Sequence, residues 1–202
     1  MNADLRKFID ELYEDGKKFD SAEAEWSRRR RNIDPPAGEF LWIFIKALQA
    51  RSVIEIGTSN GYSTIWLADA VRATGGTLVS VDYDGAWLDQ AQANLRGAGL
   101  LDSVELRCLE GGAYLESLSD QSVDFMFFDA ERSDYARWWP HPSRVLRSGG
   151  VIAVDNSTSH PQEIADLYAQ INSDGGFSSV VVPVGKGELI AVKSGLAAPT
   201  RL

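Results

Sequence analysis

Residues 53–64 read V-I-E-I-G-T-S-N-G-Y-S-T: an apolar run with one acid, Glu55, then a turn bounded by Gly57 and Gly61, then an apolar-periodic segment. That order predicts strand, tight turn and helix. Glycine reaches backbone conformations closed to other residues, and the run before the turn reads as buried on both sides. A buried strand ending in an acid and two glycines predicts a backbone that a polar small molecule approaches closely.

The remainder of the chain repeats this unit. Strands are predicted at 52–56, 77–81, 104–109, 123–128 and 150–154, with helices at 62–73, 86–98, 112–118, 134–146 and 161–172. Nearly continuous apolar strands alternating with helices mean a parallel sheet covered on both faces. The tail departs from the pattern, because 177–184 and 188–193 flank Gly185-Lys186-Gly187 and read as a hairpin. The expected fold class is α/β: a Rossmann-like, doubly wound, mostly parallel sheet with a C-terminal antiparallel hairpin and N-terminal helices. Leu5, Phe8, Ile9 and Leu12 have helical spacing and need a surface to pack on. The charged stretch 23–31 is read as helix or loop. Asp34-Pro35-Pro36 then opens an apolar helix carrying Phe40, Leu41, Phe44, Ile45 and Leu48. We expect one domain over 1–202, with a helical segment at 1–50 and the cofactor-binding core at 51–193.

A chain of 202 residues buries about two-thirds of its unfolded surface. Its net charge of −9 repels phosphate backbones and disfavours nucleic acid as a partner. Arg28-Arg29-Arg30-Arg31 runs against that balance. It reads as a solvated helix face or helix C-terminus, or else as a contact for an anionic substrate or partner. No apolar run approaches the roughly 18 residues of a membrane span, and the start is not a signal peptide, so a cytoplasmic location is expected. The lone Cys108 is expected as a small core residue.

In an open parallel sheet, ligands sit at the carboxyl ends of the strands. Those ends carry Glu55 to Gly57, Asp82, Asp129, and Asp155-Asn156. Asp82 stands where a carboxylate accepts hydrogen bonds from both hydroxyls of a ribose, while Asp84 suits the cap of the next helix. The turn has no middle glycine, and a pyrophosphate is poorly served beside Glu55. An acid there suits a cationic ligand, which favours S-adenosylmethionine over NAD and disfavours a dehydrogenase.

E-I-G-T-S-N-G-Y-S resembles motif I of the class I S-adenosylmethionine-dependent methyltransferases, in the form found in the catechol and caffeoyl-CoA O-methyltransferase branch. The resemblance runs from about residue 36 to 193. It implies the seven-stranded methyltransferase fold and a homodimer. It also implies that Glu55, Gly57, Gly61 and Ser63 hold the methionine end, Asp82 the ribose, and Gly112 and Ala113 the adenine. F-F-D-A-E-R-S-D-Y and V-I-A-V-D-N resemble the family's metal-binding strand ends. By that resemblance Asp129, which also borders the cofactor, binds a divalent cation together with Asp155 and Asn156. Two carboxylates and an amide form a hard oxygen shell suited to Mg²⁺ or Ca²⁺. The implied reaction is methylation of a hydroxyl on a small catechol-like acceptor.

The sequence departs from the family in two places. The family's lysine three positions after the first metal-ligand aspartate is Arg132 here, and a guanidinium cannot act as a base near neutral pH. Arg132 is then expected to stabilise a developing phenolate or bind a carboxylate on the substrate. His160 is the candidate base, and His141 is expected to be structural. The segment after Asn156 is also short, so a coenzyme A thioester is not implied. Trp42, Trp138 and Trp139 are expected mainly to pack, with the acceptor or a dimer partner as the other possibility. Two other readings are a hydroxyuridine O-methyltransferase acting on transfer RNA, and a cofactor-binding protein with a decayed site.

Overall fold

The structure is a computed structural model that describes residues 1–195. Its strands are β1 (Ser52–Ile56), β2 (Thr77–Asp82), β3 (Val104–Cys108), β4 (Val123–Phe128), β5 (Leu146–Val154), β6 (Phe177–Val182) and β7 (Glu188–Lys193). They form one sheet in the order β3-β2-β1-β4-β5-β7-β6. β1 to β5 pair in parallel, and β7 runs antiparallel to both β5 and β6. The helices are α1 (Ala3–Ala22), α2 (Pro35–Leu48), α3 (Tyr62–Thr74), α4 (Gly85–Gly97), α5 (Gly111–Ser117), α6 (Tyr135–Trp138), α7 (Pro140–Val145) and α8 (Ala165–Ser173). None of them is long and apolar enough to cross a membrane.

Side chains on a strand alternate between its faces, so each central strand feeds two cores. Val53, Phe125, Phe127, Val151 and Ala153 face one core, closed by α1 to α3 through Ile9, Leu41, Ile45, Ile65 and Trp66. Ile54, Ile56, Met126, Phe128 and Ile152 face the other, closed by Tyr135, Trp138, Val145, Leu167 and Ile171. Burying each of these large apolar groups stabilises the fold by about 1.5–3 kcal/mol. This double coverage is why the strands read as unbroken apolar runs.

The structure corrects several expected boundaries. The single helix at 134–146 is two, because Pro140 has no N–H and starts α7 as its first residue. The last parallel strand starts at Leu146, not at the glycine pair: Val123 pairs with Leu146, and the register then shifts so that Phe125 pairs with Val151. Gly149, at φ +74°, lies in that irregularity and mimics a strand boundary in the sequence. The helix expected from 161 begins at Ala165, after turns that follow Asn156. Cys108 is exposed rather than in the core, because it ends an edge strand. The apolar face of α1 finds the surface it needs in the first core, where Leu5 and Ile9 are buried.

The turn after β1 behaves as its glycines foretold. Gly57 has φ +104°, and a Cβ there would lie 2.2 Å from the backbone carbonyl oxygen of Asp129. Gly57→Ala is therefore expected to destabilise the fold by about 3 kcal/mol. Urea unfolding should show a lower midpoint with an unchanged slope.

Candidate active site

The strand order reverses between β1 and β4, which is where a doubly wound sheet opens a crevice. Backbone hydrogen bonds continue the ladder past the strand ends there. Leu109 N–H donates to Asp82, Gly57 to Val81, Asp129 to Ile56 and Asp155 to Phe128, at 2.8–3.1 Å. These bonds set Asp82, Gly57, Asp129 and Asp155 in succession along one rim. Three of the strand-end acids, Asp82, Asp129 and Asp155, thus share this rim.

Glu55 has a different position from the one expected. It is fully buried on the α3 side of β1, where Ser63, Thr64 and Ser80 donate hydroxyls to it at 2.5–2.6 Å. Burial pushes its carboxyl up to about 7 against the pull of those three hydroxyls. Within this structure Glu55 therefore braces the turn from beneath rather than facing the cleft. Ser63, which is 7% exposed, keeps some surface, whereas Thr64 and Ser80 keep none. Gly61, the N-cap just before α3, has φ +82° and lies against Ala91 of α4.

One cleft lies on the β2 side of Asp129. Its walls include Gly57, Ser59, Asp82, Tyr83, Trp87 and Gly111. Asp82 accepts the N–H groups of Ser59 at 2.9 Å and Asp84 at 3.1 Å, one on each oxygen, so the carboxylate is oriented. Burial raises its pKa, and these backbone donors oppose that rise. Asp84 caps α4 through Ala86 N–H, as expected. Gly111 borders this cleft, while Gly112 packs on Trp138, whose indole nitrogen would lie 2.4 Å from an added Cβ. Ala113 donates its N–H to Glu110, which also accepts from the Trp138 indole at 3.1 Å. Burial would raise the Glu110 pKa, but these donors and Arg137 hold it below the usual range. Trp138 is thus both core and cleft wall, while Trp139 packs on Phe177 and Trp42 donates to Asp69.

A second cleft lies on the other side of Asp129 and shares Arg31, Ser59, Asp129 and Ala130 with the first. It gathers Arg132, His160 and Asn156, three residues singled out from sequence. Asn156 is left-handed, at φ +66°, and its amide donates to Asp155 at 2.7 Å. Arg132 is paired with Glu163 at 2.6 Å, and His160 Nδ1 meets Ser159 Oγ at 2.8 Å. Tyr135 is fully buried and bonds both the N–H and the carbonyl of Ala130, fixing the turn beyond Asp129.

Sequence reasoning missed Lys186, Glu188 and the placement of the arginine run. Arg28 ends a short 3-10 helix with Arg29 as its C-cap, while Arg29 and Arg31 line the first cleft and Arg30 and Arg31 the second. The run's only signal was a charge opposed to the rest of the chain. Lys186 sits at the tip of the β6–β7 hairpin, and nothing local says that the tip reaches this rim. Glu188 is fully buried, and neither of its oxygens has a hydrogen-bond donor. Burial, then Asp155, raise its pKa well above the ordinary carboxylate range.

Asp129 is pushed up to about 8, first by burial and then by Asp155, while Lys186 and Arg31 pull the other way. A carboxyl raised on folding stabilises fully below its unfolded pKa and loses that contribution as pH rises to the folded value. Asp129→Asn removes this loss. With chelator present, its Tm should match the parent near pH 4 and exceed it by roughly 3 °C or more above pH 8. Equal melting curves across that range would remove charge repulsion from the rim.

Comparison with known proteins adds three findings. The chain is 38% identical over 126 residues to a catechol O-methyltransferase from Mycobacterium tuberculosis, covering 61% of this chain and 56% of that protein. It is 33% identical over 128 residues to a catechol O-methyltransferase from Niastella koreensis, covering 62% and 58%. The chain thus spans less than two-thirds of either relative. An O-methyltransferase from Bacillus cereus, solved in complex with SAH, superposes with a TM-score of 0.76 at 26% identity, over 93% of this chain and 91% of that one. The family model described as O-methyltransferase matches residues 2–193, and by that match the chain belongs to the O-methyltransferase family.

Proposed function

We propose that this protein transfers a methyl group from S-adenosylmethionine to a hydroxyl of a small catechol-like acceptor, assisted by a divalent cation. The observation that carries the reading is the meeting of two clefts at Asp129, on the switch point of the sheet. The β2-side cleft suits a nucleoside: Asp82 for the ribose hydroxyls, Tyr83 and Trp87 as aromatic walls, and the Gly57 backbone for close approach. Asp129, shared by both clefts, borders the path that a methionine group would take toward the second.

The donor set fits a hard cation. Asp155 is close enough to raise the pKa of Asp129, burial raises that of Asp155, and Asn156 adds an amide beside them. Buried carboxylates in mutual repulsion gain most from a bound cation. Asp129, Asp155 and Asn156 would hold it, and when bound it supplies the positive charge that lowers the pKa of an acceptor hydroxyl. A guanidinium is no general base near neutral pH, so the part of Arg132 is to stabilise negative charge on the acceptor oxygen. His160, with Nδ1 engaged by Ser159, offers Nε2 to take the hydroxyl proton.

Thermal shift and turnover test this reading. S-adenosylhomocysteine at about 100 times its Kd should raise the Tm by about 5 °C or more, and Asp82→Ala should weaken it on the order of tenfold or more. Methyl transfer to catechol should stop with EDTA and return with Mg²⁺. Turnover that survives thorough chelation would sink the metal assignment.

A further inference from the structure

The cleft on the Asn156 side of Asp129 is cationic in a chain with 29 acidic and 20 basic residues. Arg30, Arg31, Arg132 and Lys186 line it, together with Trp26 and His160. Several basic side chains elsewhere pair with carboxylates: Arg6 with Asp10 and Glu39, Arg137 with Glu110 and Asp134, Arg144 with Asp120. Arg132 is likewise committed to Glu163. Among the described residues, Arg30, Arg31 and Lys186 pair with no carboxylate.

These three are nonetheless held by their backbones. Asp20, near the end of α1, accepts the N–H groups of Arg30 and Arg31 at 2.7 and 2.9 Å. Ser59, in the turn after β1, donates its hydroxyl to the Arg30 carbonyl at 3.2 Å. Arg31 is left-handed at φ +51°, a conformation that costs energy in a non-glycine residue and is kept here by those bonds. The Lys186 carbonyl accepts N–H groups from Thr158 and Ser159 at 3.0 and 3.1 Å and the Thr158 hydroxyl at 2.5 Å. The guanidinium of Arg30 lies over Phe19, yet its Nε is buried without a hydrogen-bond partner. Lys186 and Arg31 act on Asp129 through space without an ion pair to it, and anchored backbones carrying such cations form a preorganised anion site, because little ordering remains to oppose binding.

We propose that the acceptor is an aromatic acid, whose hydroxyl-bearing ring lies beside Asp129 and Asn156 and whose carboxylate is held by Lys186 and Arg31, with Arg30 in support. The placement of the ring rests on the O-methyl transfer reading, while the anion site rests on these cations alone. Trp26, 58% exposed, lines the same cleft and holds the Arg29 and Arg31 guanidiniums over its ring at 5.4 and 5.7 Å. A single planar carboxylate fits better than a polyphosphate, because Asp129, Asp155 and the net charge of −9 repel each added negative charge.

Calorimetric titration of the full chain, with S-adenosylhomocysteine and Mg²⁺ present, compares protocatechuate with its uncharged amide. The acid should bind on the order of tenfold more tightly. The double variant Lys186→Met with Arg31→Met should lose most of that preference, and Lys186→Arg should keep it, with melting curves confirming that each variant is folded. Equal affinities in the parent, or no binding of the acid, would overturn the proposal. Tight, charge-dependent binding of the acid, with no methylation of it when S-adenosylmethionine replaces S-adenosylhomocysteine in a turnover assay, would keep the anion site and overturn the O-methyl transfer reading instead.

Discussion

The close approach of two backbones at Gly57 and Asp129 is the constraint on which the rest of the site depends. A Cβ on residue 57 would lie 2.2 Å from the Asp129 carbonyl, so only glycine allows β1 and β4 to end side by side. Asp129 N–H reaches the Ile56 carbonyl at 2.9 Å, and Gly57 N–H reaches Val81 at 2.8 Å. Those bonds put Asp82 on one side of the contact and Asp155 on the other. Glu55 supports the same turn from below, joined to α3 by two hydroxyls and to β2 by a third. A change in any of these partners moves both clefts together.

Charge is the second organising element. The rim collects Asp82, Asp129, Asp155 and the buried Glu188, and the pKa values of all four rise because burial disfavours their charged forms. Cations answer from outside the strand–helix repeat: Arg30 and Arg31 from the segment between α1 and α2, Lys186 from the hairpin. The rim is thereby a destabilised surface in the free protein. Such surfaces are where binding energy can be concentrated, because ligands relieve a strain already present.

The fold was legible because the signals for it are local. Apolar runs of strand length, the glycine turn, Asp34-Pro35-Pro36 before α2, and Gly185-Lys186-Gly187 in the hairpin each act within a few residues. The errors came where local signals conflict. Gly149 and Gly150 look like a boundary but sit inside β5 at a register shift. Cys108 sits in an apolar context, yet ends a strand with one neighbour only. The site was legible in part: Asp82, Asp129, Asp155 and Asn156 lie at strand ends, and a parallel sheet brings strand ends together. Glu55 was misplaced because its alternation points it at α3, a fact of the sheet's two faces rather than of the motif.

The sequence by itself determined the α/β class, the strand–turn–helix at 53–64 and the acids of the rim, because periodicity and glycine placement act over short distances. It also carried the resemblance that the family match bears out. Only the tertiary structure decided which residues face those acids. Lys186 lies 57 positions beyond Asp129 and Arg31 lies 98 before it, and they meet because the β6–β7 hairpin folds back beside β5 while Asp20 and Ser59 hold the arginine segment against the turn. No periodicity encodes such a meeting. It follows from strand order, which is set by how all the apolar faces are buried at once.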